Sequence, residues 1–118
     1  MINHLDDPGV YIAPGLIDHQ VNGYFGHSFV DQDLSIQKVK LITKKLRENG
    51  ITSYYPTLIT SSKKLLLRNL SILAEAIEDP DTGLSIPGIH LEGPYISPLD
   101  EFYGAHLRKW IRDPDWDE

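Results

Sequence analysis

At 118 residues the chain is about one domain long, and with 41% apolar residues it can bury a core. Its 17 acidic and 11 basic side chains give a net charge of −6; without a basic run this excludes a reader of phosphate backbones, so no nucleic-acid partner is expected. Cysteine is absent, which excludes a disulfide scaffold and a thiolate metal site; no signal-peptide core or apolar run of ~18 residues occurs, so a soluble, cytoplasmic chain with no membrane partner is expected.

The first segment, Met1 to Ala13, holds one short strand-like stretch, Val10-Tyr11-Ile12, with nothing nearby to pair with. Gly15 to Gly23 reads as a buried strand ended by glycine. Ser35 can cap a helix running to Glu48, with Val39, Ile42 and Leu46 at helical spacing and Asn49-Gly50 as its stop. Ile51 to Leu58, rich in β-branched and aromatic residues, reads as a second strand, with Pro56 expected near its end because it lacks an amide donor. Ser61 or Ser62 can cap a second helix whose buried stripe is Leu66, Leu70, Leu73 and Ile77, and Asp79-Pro80 ends it. Ile86 to Leu91 reads as a third strand, and the chain after Pro94 as loop broken by Pro98, Gly104 and Pro114.

The order β-α-β-α-β implies an α/β fold with a parallel sheet covered by helices. Two closed solutions exist, an open doubly wound sheet or a (β/α)8 barrel. A barrel takes ~250 residues, so this chain would supply its first three strands and two helices.

Strict alternation puts Leu16, Asp18, Gln20 and Asn22 on one face of the first strand, and Ile17, His19 and Val21 on the other. The polar face points to a site, because ligands bind at the C-terminal ends of parallel strands. The other face is expected to pack against helices. On the third strand Gly88, His90 and Glu92 share a face, and Glu92 stands last before Gly93-Pro94. A carboxylate there can ligate a cation, although a catalytic zinc takes about three protein ligands.

Pro14-Gly15-Leu16-Ile17-Asp18 followed by Gln20-x-Asn22-Gly23 resembles the first barrel strand of amidohydrolases, with Gln-x-Asn where His-x-His is usual. Tyr54-Tyr55-Pro56-Thr57-Leu58-Ile59-Thr60, Gly88-Ile89-His90-Leu91-Glu92-Gly93-Pro94-Tyr95 and Gly104-Ala105-His106 follow in order. Together they are similar to the N-acetylglucosamine-6-phosphate deacetylases. The resemblance implies a partial (β/α)8 barrel over residues 14–118, with residues 1–13 as the end of a β-sandwich region. It implies a divalent metal, zinc, with Glu92 as a ligand. Gln20 and Asn22 would line the place of a lost second metal, and Ala105 and His106 would border the pocket for an amino sugar phosphate. The remaining histidine ligands and the catalytic aspartate belong to later strands of the family, so no catalytic residue is assigned here. The resemblance also implies a homodimer.

Plainer readings stand beside these. Gln20 and Asn22 can satisfy backbone groups at a strand end. Asp18 reads as structural or as a partner of site residues. His19 reads as structural on the opposite face, His90 as a core histidine or a partner of Glu92, and His27 as a loop residue. His4 has no role. Trp110 and Trp116 are expected to pack on helices or on further chain, while Tyr24 and Phe25 suit a pocket wall or the core equally. The functional expectation is metal-dependent hydrolysis of an acetamide, carried out by more chain than is present here. The alternatives are another amidohydrolase, or a non-catalytic partial-barrel module prone to association through its open sheet edges.

Overall fold

A computed structural model describes residues 11–118. Three parallel strands form the sheet in the order β1 (Leu16–Val21), β4 (Ile51–Ile59), β5 (His90–Glu92). Between β1 and β4 come a small antiparallel hairpin, β2 (Gly23–Tyr24) with β3 (His27–Ser28), and helix α1 (Ile36–Glu48); α2 (Lys63–Glu78) links β4 to β5. Among the described residues no helix is long and apolar enough to cross a membrane.

Both helices start where their caps allow. Ser35 Oγ accepts from the Lys38 amide at 3.4 Å, and Ser62 Oγ from the Leu65 amide at 3.3 Å. The chain leaves α1 through Gly50 at φ +83°, a left-handed turn that glycine adopts without strain. Val39, Ile42 and Leu46 of α1 face Tyr54 and Leu58 of β4 in a core completed by Phe29, Leu34, Leu66, Leu73 and Ile86. Phe29 and Tyr54 stack with ring centroids 6.1 Å apart. The Tyr54 hydroxyl lies 2.8 Å from Thr43 Oγ1, whose own proton goes to the Val39 carbonyl, so the tyrosine is the donor. Burial pushes its pKa up to about 12.

The structure differs from the sequence expectations at several places. The buried stripe of α2 is Leu66, Asn69, Leu73 and Ala76; Leu70 and Ile77 are only partly buried. Asn69 is accommodated because its amide donates to the carbonyls of Phe29 (2.8 Å) and Asp31 (3.1 Å), pinning the chain before α1 onto α2. The third strand begins at His90 rather than Ile86, since Pro87 has no donor and Gly88 no side chain; a 3-10 turn, Gly83–Ser85, comes first, and Ile86 enters the core from irregular backbone. Pro56 lies inside the central strand, opposite Val21, where the pairing with β1 is irregular. Trp116 is fully exposed and gains no cover from the helices among the described residues. The strand expected at Val10-Tyr11-Ile12 falls partly outside the described residues, and Tyr11 and Ile12 are exposed and irregular. His4 also lies outside the described residues.

Helices cover one face of the sheet. Ile17, His19 and Gln20 are exposed on the other.

Candidate functional site

The bulge in β1 decides which side chains meet at the strand ends. Asp18 pairs with Tyr54 and Val21 with Pro56, so three steps along β1 match two along β4. The extra residue turns both His19 and Gln20 toward the uncovered face. There, with Tyr55, Ile89 and His90, they line a concavity of about 440 Å³. This overturns the expected packing of Ile17 and His19 against the helices: both are exposed on the uncovered face, and the bulge brings Gln20 round to join His19 there. Its ring lies 6.0 Å from that of Tyr55. Asp18 holds the bulge, its Oδ1 accepting from the Gln20 amide at 3.0 Å. Pro56 suits the position facing the bulge, since the regular ladder is already broken there.

At the C-terminal rim Glu92 is held from three sides. Gln20 Nε2 donates to Glu92 Oε2 at 2.8 Å. His106 Nε2 lies 3.2 Å from Glu92 Oε1, with side chains 16% and 31% exposed, so this pair is largely withdrawn from water. Thr60 Oγ1 donates to the Glu92 carbonyl at 3.4 Å. A carboxylate accepts only, so the histidine's Nε2 carries the proton in this contact. Its Nδ1 is buried and has no partner among the described residues. Below Glu92, His90 Nδ1 lies 3.2 Å from Thr57 Oγ1, and the ring lines the concavity.

Gly93 allows the chain to leave the rim beside Thr60. Its φ is +85°, and a Cβ there would lie 2.1 Å from Thr60 Oγ1. The Gly93-Pro94 peptide is cis.

Of the residues expected at the site, Gln20, Glu92 and His106 come together. Asn22 does not join them: its carbonyl accepts from the Phe29 amide (3.1 Å) and Ser28 Oγ (3.1 Å), which shapes the hairpin. Ala105 lines a neighbouring cavity of about 330 Å³ with Thr60, Ser61, Leu65 and Trp110. His27 sits in β3. Phe25, at the hairpin tip, is exposed beneath the Lys45 ammonium, which lies 4.9 Å from its ring centroid. Thr60 carries no sequence signal for its role. Among the described residues no group of three or more His, Asp or Glu side chains could hold a metal, so these residues offer at most part of a donor set.

These features define a parallel α/β unit with a tethered carboxylate at its strand-end rim. No family model matches the chain. It is 40% identical over 111 residues to the N-acetylglucosamine-6-phosphate deacetylase of Danio rerio, covering 93% of this chain and 27% of that protein. The Bacillus subtilis enzyme of the same name is 34% identical over 107 residues, covering 88% of this chain and 26% of its own length. A crystal structure of the Pasteurella multocida deacetylase superposes with a TM-score of 0.77 at 30% identity, over 88% of this chain and 26% of that one. A Mycobacterium smegmatis deacetylase variant in complex with N-acetyl-D-glucosamine-6-phosphate gives 0.66 at 38% identity, over 86% and 25%. Over most of its own length the chain is similar to N-acetylglucosamine-6-phosphate deacetylases, and it spans about a quarter of the length of the relatives it matches.

Proposed function

We propose that this chain supplies the first three strands and two helices of a (β/α)8 barrel that hydrolyses the acetamide of N-acetylglucosamine 6-phosphate to acetate and glucosamine 6-phosphate. The observation that carries this reading is the tethering of Glu92 by Gln20 and His106 at the strand ends, within a chain related throughout to deacetylases. Residues 14–118 would be barrel and residues 1–13 the end of a β-sandwich region. The whole protein would be a cytoplasmic homodimer.

The donor chemistry fits one position of a divalent metal site, with zinc as the favoured ion. Glu92 offers a carboxylate at the rim, and the other ligands would come from chain beyond these residues. Such a cation, when bound, acidifies a water and polarises the acetamide carbonyl. The chain's own residues orient. Gln20 fixes Oε2 and His106 fixes Oε1, so the carboxylate cannot swing. His106 meets the carboxylate through Nε2, while its Nδ1 is buried on the side away from Glu92. Ala105 walls the adjoining cavity, which is small and partly apolar, as a sugar pocket requires. Asn22 would act through the hairpin it shapes.

A chimera tests this reading. The chain would replace the corresponding quarter of the Danio rerio deacetylase, and acetate release from N-acetylglucosamine 6-phosphate would be followed. Activity that disappears in Glu92→Gln supports the assignment. A folded chimera with activity indifferent to Glu92 would refute the residue's role, and a folded, inactive chimera would refute the reaction.

A further inference from the structure

The loop between residues 94 and 112 carries Ala105 and His106, yet little of it is regular. Apart from a 3-10 turn, Arg108–Trp110, and one bond between its two ends, its backbone hydrogen bonds are short-range turns. Leu99, Phe102 and Leu107 are 64%, 73% and 58% exposed, so apolar burial does not hold it in place. Polar contacts therefore decide where His106 lies, and one side chain makes more of them than any other.

That side chain is Arg112. Its amide donates to the Pro94 carbonyl at 3.3 Å, joining the two ends of the loop. Its Nη1 donates to the Ser61 carbonyl (3.1 Å), in the turn entering α2, and to the Trp110 carbonyl (2.9 Å). Its Nε and Nη2 grip both oxygens of Glu118, with Nε–Oε2 at 2.8 Å. Tyr95, just inside the loop's first end, donates from its hydroxyl to Glu118 Oε2 at 3.2 Å. The Arg112 and Glu118 side chains are 26% and 12% exposed, against 63% and 78% for the single-contact pair Arg108–Asp100. A bidentate, half-buried pair is the stronger kind, and a screened single contact contributes little.

We propose that Arg112 is a positioning residue for the site: by clasping both ends of the 94–112 loop to the turn before α2, it holds His106 against Glu92. The inference gives His106 a cause for its place, and it concerns the metal-free chain. Its failure is therefore distinguishable from failure of the deacetylase reading.

The test is hydrogen exchange, with 15N spectra of the His106 ring, on the 118-residue chain and its Arg112→Gln, Arg112→Lys and Glu118→Gln variants. In Arg112→Gln, amides of residues 95–111 exchange roughly tenfold faster or more, while those of Val39–Leu46 and Tyr54–Leu58 hold within about twofold. The His106 Nε2 signal moves toward that of an unpaired imidazole. Lysine keeps the charge but not the fork, so Arg112→Lys restores neither readout. Glu118→Gln leaves the bonds to Ser61 and Pro94 in place and shifts both readouts the same way by less. If Arg112→Gln does not fold, the Glu118→Gln result decides alone. An unchanged loop and ring signal, or faster exchange spread equally over the core, would overturn the proposal.

Discussion

Gln20 and Glu92 lie 72 residues apart in the chain, and their side chains meet across the sheet rim with Nε2 2.8 Å from Oε2. The contact exists because the bulge at Asp18–Val21 points Gln20 the same way as the last residue of β5. Replacing Gln20 with leucine removes the donor and leaves Glu92 tied on one side only. In the chimera described above, metal affinity should fall about 10–100-fold, the usual effect of losing a partner to a ligating group. Competition with a metal indicator measures it. Unaltered affinity would show that this hydrogen bond is incidental.

Gly93→Ala should destabilise the fold by roughly 1–3 kcal/mol, because the new residue keeps a left-handed backbone and its Cβ meets Thr60 Oγ1. Adding Thr60→Ala relieves the collision but not the backbone strain, so it should recover only part of the loss. Urea midpoints of the single and double variants make the comparison. Full recovery would mean that the left-handed conformation costs nothing here.

Asn69→Ala leaves the Phe29 carbonyl without its donor beneath α2. The expected loss is about 1–3 kcal/mol, the desolvation penalty of an orphaned buried acceptor. Asn69→Asp should be worse, since it loses the amide donor and turns acceptor atoms toward two carbonyls. Denaturant melts of both variants give the order. Equal stabilities would contradict it.

Tyr54 sets an alkaline limit. Its pKa is about 12 in the folded chain, against about 10 for an unfolded tyrosine. Below pH ~10 both states keep the proton and the group contributes no pH dependence. Between the two values the unfolded chain has released its proton and the folded chain has not. Stability therefore falls as pH rises through that window, by on the order of 2–3 kcal/mol. Tyr54→Phe should flatten this part of the decline, read from melting temperatures between pH 9 and 12. An equal decline in the variant would place its cause elsewhere.

Much of this fold is written locally. Ser35, Ser62 and Gly50 mark helix ends through contacts within a few residues, and Val39, Ile42 and Leu46 mark a face by period alone. The places of Gln20 and Glu92 near strand ends were readable from the glycines that follow them. That Gln20 shares a face with His19 was not, because a bulge changes the face of every residue past it and no single residue announces one. Asn69 misleads because a polar residue can be buried once carbonyls distant in sequence reach it. Arg112 and Thr60 were missed for the same reason: their partners lie far off in the chain, and such contacts leave no periodic trace.

The most direct test of the central claim, that Glu92 ligates a metal, is the metal content of the chimera with Glu92 and with Glu92→Gln, purified identically and measured by elemental analysis. Near-stoichiometric divalent metal in the first and a large loss in the second is the predicted result. Equal metal in both, with both proteins folded, would contradict the claim and leave Glu92 as a structural carboxylate shared by Gln20 and His106.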